Sequence, residues 1–260
     1  MALRIGGRDV GTIFGAFFKR QHWTAAKNML TVYRHPLNIF RRYLSGTGTY
    51  PDKIEVRTPS GPILLNVYTH HDILTINEIF CRLDYRATAE DTVVVDFGSN
   101  IGISAAYFLT RSATVRAFLF EPLPTNTARL RENLAAYAGR YELVEKAVGM
   151  ADGEVTFGWE DSGRYGGVGV ETGNYITVPC VDSNSVLQAI VDSCGRIDVL
   201  KIDIETMEEA VTARLPLELA SKIGKIYVEW KFATNPLERT HRMTQYGSVA
   251  QFVRLGAGQV

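Results

Sequence analysis

The sequence predicts an α/β protein: a doubly wound, mostly parallel sheet carrying an N-terminal helical and hairpin extension. Three observations carry that expectation. Val93-Val94-Val95-Asp96-Phe97 is apolar enough to be buried on both faces, as strands of parallel sheets are. The run ends in Gly98-Ser99-Asn100-Ile101-Gly102 and passes directly into a helix-like segment, Ile103–Leu109. Further apolar runs then alternate with helix-like segments, the order that builds βαβ units.

Residues 1–52 read as a helical extension. Trp23, Met29, Leu30, Tyr33 and Leu37 recur near helical spacing, and Pro36 interrupts them. Arg34, His35, Arg41 and Arg42 form a basic cluster expected to be a solvated face, with capture of an acidic or carrier-linked substrate as the alternative. Ile13–Arg20 is apolar and then basic; its shortness and Gly15 favour packing on its own domain or a partner subunit over peripheral docking on a membrane. Residues 53–90 read as a hairpin and a helix leading into the core. Ile54-Glu55-Val56 and Ile63–Tyr68 flank the turn Pro59-Ser60-Gly61-Pro62, and residues 73–85 are helical.

The core is expected over residues 91–260. Thr125 is the expected N-cap of a helix with Leu130, Leu134 and Tyr137 on one face, closing near Gly139. A third strand covers Glu142–Val148. Glu154–Phe157 and Tyr175–Val178 are strands around a Gly-rich loop, residues 163–173. Val199–Asp203 is the fourth main strand, Met207–Arg214 a short helix and Lys225–Trp230 the fifth strand. Beyond Trp230 the pattern weakens, with one strand at Val249–Leu255.

The turn after the first core strand is where a ligand belongs. Its glycines let the backbone turn tightly, and the following helix start offers unpaired N–H groups. Glu121 closes a second apolar run 19 positions after Gly102, where an acid accepts hydrogen bonds from ribose hydroxyls. Nicotinamide and flavin folds want Gly-x-Gly-x-x-Gly, but Asn100 stands where the middle glycine would be. Asp96, just before the turn, would repel a pyrophosphate and suits a cationic ligand. S-Adenosylmethionine is such a ligand, with an ammonium, a sulfonium and a ribose but no phosphate.

These residues bring a family into view. Val94-Val95-Asp96-Phe97-Gly98-Ser99-Asn100-Ile101-Gly102, Phe120-Glu121-Pro122-Leu123-Pro124 with Asn126 and Leu130, Glu145-Lys146-Ala147-Val148-Gly149 with Asp152-Gly153, and Leu200-Lys201-Ile202-Asp203-Ile204-Glu205 with Glu208 stand in an order and spacing that resembles the FkbM methyltransferases. Upstream, Asp72–Phe80 is similar as well. The resemblance covers roughly residues 55–235. It implies a class I, Rossmann-like methyltransferase domain using S-adenosylmethionine. It also implies an O-methyltransferase acting on a hydroxyl of a sugar, a glycolipid or polysaccharide, or a secondary metabolite. Asp96, Gly98, Ser99, Asn100, Gly102, Glu121, Pro122, Ala147, Val148 and Asp203 would surround the cofactor. One position departs: where the family usually has Gly after the acid pair, this chain has Thr206.

Ligands of parallel α/β sheets bind beyond the strands' carboxyl ends, where Asp96, Glu121, Asp203 and Glu229 are expected. Asp203 and Glu205 are the candidate catalytic pair, two apart on extended backbone and so on one side, to align an acceptor hydroxyl and take its proton. His70, His71 and His241 are alternative bases. Mg²⁺ held by Asp203, Glu205 and Glu229 is conceivable by ligand type, with metal-independent transfer preferred. Lysine plus arginine and aspartate plus glutamate both number 28, which argues against a nucleic-acid partner. Cys81, Cys180 and Cys194 form no disulfide framework or metal spacing and read as reduced thiols, which suits a cytoplasmic protein. Met1–Val10 lacks the pattern of a secretory signal, and no apolar run is long enough to span a bilayer. Two rival readings are a nicotinamide-dependent oxidoreductase and a non-catalytic binding protein on the same fold.

Overall fold

The structure is a computed structural model that describes residues 4–5, 8–9, 20–163 and 165–256. Apart from the backbone of Arg20, the stretch Ile13–Arg20 lies outside the described residues, as does most of Met1–Val10. The chain divides into two compact units, residues 1–86 and 87–260.

In the first unit, two short strands, β1 (Arg4–Ile5) and β2 (Arg8–Asp9), precede helices α1 (Arg20–Val32) and α2 (Pro36–Ser45). Pro36 is the first residue of α2, where its missing N–H leaves no bond unmade, so it starts a second helix as well as ending the first. The expected hairpin is β3 (Asp52–Thr58) with β4 (Gly61–Val67), and Ile54, Val56, Leu65 and Val67 turn into a core shared with Met29, Tyr33 and Ile39. Helix α3 (His70–Ile76) continues as a π-helical turn, Asn77–Arg82. Its start is held by Asp72, whose carboxylate accepts the Tyr68 and Thr69 N–H groups at 2.6 and 2.8 Å. The basic cluster is solvated except at one residue. Arg34, His35 and Arg41 are exposed, but Arg42 is buried, with Nη1 2.6 Å from Asp52 and its guanidinium over the Tyr50 ring. A cation leaves water only with partners of this kind.

The second unit is the doubly wound sheet. Its strands are β5 (Val93–Phe97), β6 (Arg116–Phe120), β7 (Tyr141–Val144), β12 (Ile197–Ile202), β13 (Ile223–Val228), β14 (His241–Tyr246) and β15 (Val249–Arg254), in the order β14-β15-β13-β12-β5-β6-β7. β15 pairs antiparallel with both β13 and β14; every other pairing is parallel. β5 is followed by α4 (Ile103–Leu109) and β6 by α5 (Pro124–Asn133). The chain winds outward from β5 through β6 to β7, then returns to β12 on the other side of β5. That reversal opens a crevice beyond the carboxyl ends of β5 and β12.

A second, four-stranded sheet has the order β10-β9-β11-β8: β8 (Ala147–Gly149), β9 (Gly153–Trp159), β10 (Gly166–Val168) and β11 (Asn174–Asp182). The expected strand Glu142–Val148 is therefore two strands in two sheets, broken at the exposed Glu145-Lys146. The helix after β6 begins at Pro124, with Leu123 in the N-cap position, so Thr125 lies inside it. Helix α6 (Ser183–Cys194), which the sequence pattern does not announce, starts at Asp182, whose carboxylate accepts the Ser185 N–H at 2.8 Å, and ends at Gly195. Two short helices, α7 (Glu208–Ala213) and α8 (Leu217–Ala220), lead to β13. The last strands form a hairpin across Gly247-Ser248, where the sequence predicts only the second strand.

Candidate active site

The crevice is built around a lysine that the sequence motifs do not single out. Lys201 lies in β12, next to Asp96 of β5 in register, and is 2% exposed. Its ammonium is 3.0 Å from Asp96 and 3.1 Å from Asp203, and it donates to the Gly98 carbonyl at 2.9 Å. Burial alone would lower its pKa, but Asp203 and Asp96 more than reverse that and hold it well above the ordinary lysine value. A lysine inside an apolar strand run is a legible signal, because this side chain is almost never enclosed without a counter-charge.

Asp96 is fully enclosed, and the Ser104 hydroxyl donates to it at 2.5 Å. Burial pushes its carboxyl upward, against the pull of Lys201 and Ser104. The cation beside Asp96 is Lys201, and the acid of this triad that is open to the crevice is Asp203, 27% exposed. Two carboxylates on one ammonium leave one negative charge in excess, and only Asp203 carries it to the surface.

Gly98 has φ +77°, and a Cβ there would lie 1.8 Å from the Asp203 carbonyl oxygen. Glycine is needed so that the turns after β5 and β12 can pass, and the Asp203 N–H bonds the Phe97 carbonyl at 3.1 Å across the same gap. Gly102 (φ +85°) also serves helix packing: a Cβ there would press on Leu130 and Leu134. The Ser99 hydroxyl is enclosed too, donating to the Asp96 carbonyl at 2.8 Å.

At the β6 tip, Glu121 is 5% exposed. It accepts the Asn100 and Leu123 N–H groups at 2.9 and 3.0 Å and the Asn126 side-chain amide at 3.3 Å. Asn100 and Asn126 also donate to the Gly163 carbonyl, at 3.4 and 2.8 Å, so the turn at Gly163 lies over this carboxylate. Asn126 therefore belongs to the site, although its sequence signal is only that of a motif member. Pro122 is half-buried beside it. Ala147 and Val148 are buried in β8, paired with Cys180 and Val181 of β11.

Burial raises the Glu121 carboxyl from 4.5 to about 7, against its N–H donors. The folded chain holds this proton more tightly than the unfolded one, so the stability gained is full below about pH 4.5 and is lost as pH rises to about 7. Glu121→Gln should therefore flatten the fall in melting temperature between about pH 5 and 7 relative to the parent chain. Parallel pH curves for the two proteins would remove Glu121 as the titrating group.

The Asp203–Glu208 turn is not the extended segment the sequence suggests. Glu205 and Thr206 both have left-handed backbone, φ +53° and +73°, so Asp203 and Glu205 are not two teeth of one strand face. Thr206 occupies a position that favours glycine; a β-branched residue there is strained by roughly 1–2 kcal/mol, partly offset by its hydroxyl donating to the Val168 carbonyl at 2.9 Å. Glu208 closes the turn, accepting the Ile204 N–H at 3.0 Å, while burial raises its carboxyl. Glu205 is half-buried and Glu229 exposed at the β13 tip. His241 is a structural residue: its ring is bonded to Thr240 and to the Ile223 carbonyl at the opposite rim of the sheet, and burial pushes its pKa down to about 4. His70 and His71 open α3 in the first unit. Among the described residues, no group of three or more His, Cys, Asp or Glu side chains converges as a metal site.

Comparison with known proteins places the chain in a family. The chain is 28% identical to the AMB antimetabolite synthetase AmbE of Pseudomonas aeruginosa across 68% of its own length, which is 10% of that protein. It is 25% identical to the hexuronic acid methyltransferase AglP of Haloferax volcanii, covering 63% of this chain and 66% of that one. The chain thus spans less than two thirds of either relative. Among solved structures, a putative rRNA-methylase from Clostridium thermocellum aligns with a TM-score of 0.41 at 11% identity, over 70% of this chain and 94% of that one. The model of the methyltransferase FkbM domain matches residues 96–254, more than half of the chain and all of the crevice described above. The chain belongs to the FkbM methyltransferase family.

Proposed function

We propose that the protein transfers a methyl group from S-adenosylmethionine to a hydroxyl group of a sugar, a glycolipid or polysaccharide, or a secondary metabolite. The observation that carries this reading is the Asp96–Lys201–Asp203 triad, whose excess negative charge surfaces only at Asp203. A crevice with that charge suits an ammonium and a sulfonium and opposes a pyrophosphate, which speaks against a nicotinamide cofactor. Glu121 supports the ribose end. A carboxylate has about four acceptor positions and three are filled by protein donors, leaving capacity for a ribose hydroxyl. The bound cofactor would supply an electrophilic methyl group; the chain's part is to bind it, orient the acceptor and receive a proton. Asp203, already committed to Lys201, suits orientation of a cation. Glu205, next on the same turn, is the candidate proton acceptor. The sugar acceptor is supported by the likeness to AglP, a hexuronic acid methyltransferase.

Isothermal titration tests the cofactor. S-Adenosylmethionine should bind and NAD should not. Asp203→Asn should weaken binding by about 1.5–3 kcal/mol, the range for a hydrogen bond to a charged group. Binding of NAD in preference, or unchanged affinity in a folded Asp203→Asn protein, would sink the assignment.

A further inference from the structure

Of the ten large apolar side chains that stand exposed among the described residues, four fall within residues 23–40. Trp23 is 61% exposed, Leu30 62%, Leu37 80% and Phe40 46%. Trp23 and Leu30 are two turns apart on α1 and share a face, with Lys27 between them; Leu37, Phe40 and Arg41 share a face of α2. These faces are not the core-facing ones, which carry the buried Ala25, Met29 and Ile39. A concentration of exposed apolar side chains marks an interaction surface.

The same segment lacks acids. From Val10 to Pro51 there is no Asp or Glu against six Lys and Arg, in a chain whose charges balance at 28 each. Arg42 is consumed internally by Asp52, and Arg34 reaches Glu55 at 2.7 Å while remaining 57% exposed. Lys27 and Arg41 are exposed. Exposed leucines and aromatics interleaved with cations, on helices without acids, are the composition of helices that lie in the plane of lipid headgroups.

We infer that α1 and α2 dock the protein on the surface of an anionic lipid bilayer, their apolar residues entering the acyl boundary and Lys27 and Arg41 meeting headgroup anions. Nucleic acid fits this face less well: Trp23 and Phe40 stand apart among the aliphatic Leu30 and Leu37 and form no continuous stacking platform, and the few exposed cations make a small phosphate footprint. A second copy docked symmetrically would set an acid-free face against itself. The contact is peripheral: α1 and α2 have 13 and 10 residues, and no described helix is long and apolar enough to cross a membrane. The inference is independent of the methyl-transfer reading.

Co-sedimentation of the full chain with vesicles tests it. The protein should sediment with phosphatidylcholine vesicles containing about 30% phosphatidylglycerol, far less with phosphatidylcholine alone, and binding should weaken between ~0.05 and ~0.5 M salt. Lys27→Gln with Arg41→Gln should lower the partition coefficient roughly 25-fold, about fivefold per cation. Leu30→Ser, Leu37→Ser and Phe40→Ser together should abolish binding with an unchanged melting temperature, because all three side chains are exposed. No sedimentation with anionic vesicles would overturn the inference, as would equal binding by these variants. Conversion of a dimer to a monomer by the apolar variant, seen by light scattering, would reassign the face to self-association.

Discussion

Replacing Lys201 by Met should cost about 3–5 kcal/mol of stability, the range for removing one partner of a buried ion pair. The variant keeps the volume and the apolar stem but leaves Asp96 fully enclosed with only the Ser104 hydroxyl beside it. Urea denaturation would measure the loss. Adding Asp96→Asn should restore part of it, since the stranded charge is then gone, whereas independent sites would add their losses. A Lys201→Met protein within about 1 kcal/mol of the parent would mean that Asp96 is neutral and that the triad contributes little.

The largest kinetic effect should come from Glu205→Gln, which is expected to lower kcat by about 10²–10⁴ while cofactor affinity holds, if this carboxylate takes the acceptor's proton. Asp203→Asn should behave differently, with affinity and rate falling together, because its carboxylate is tied to Lys201 and faces the ligand. Single-turnover kinetics with cofactor titration, and thermal melts alongside, separate these outcomes. Normal turnover by the Glu205→Gln protein would place the base elsewhere.

Much of this is legible in the sequence. The strands flanking the crevice are apolar runs whose burial on both faces follows from composition, and the glycine turn and the acids at the strand tips follow them at readable spacing. Other elements are hidden for identifiable reasons. β14 reads His-Arg-Met-Thr-Gln-Tyr and lies at a sheet edge with one face in water, so it carries little hydrophobic signal. The Gly247-Ser248 pair between β14 and β15 is the available clue, as a two-residue hairpin turn. The break at Glu145-Lys146 separates two apolar runs that look continuous until each is given its own sheet.

By itself, then, the sequence determined the class of fold, the succession of its main core strands along the chain and the position of the glycine turn after the first of them, because hydrophobic periodicity and glycine placement are local properties of the chain. Only the tertiary structure decided what each polar group there does. Asp96 and Lys201 are 105 positions apart and meet because β5 and β12 are neighbours in register. Gly98 is required by a carbonyl of a different loop, Gly102 by the side chains of a different helix. Glu205 leaves the strand face because its turn runs through left-handed backbone. A charge acquires its role from whichever groups surround it once water is removed, and folding brings those groups in from distant parts of the chain.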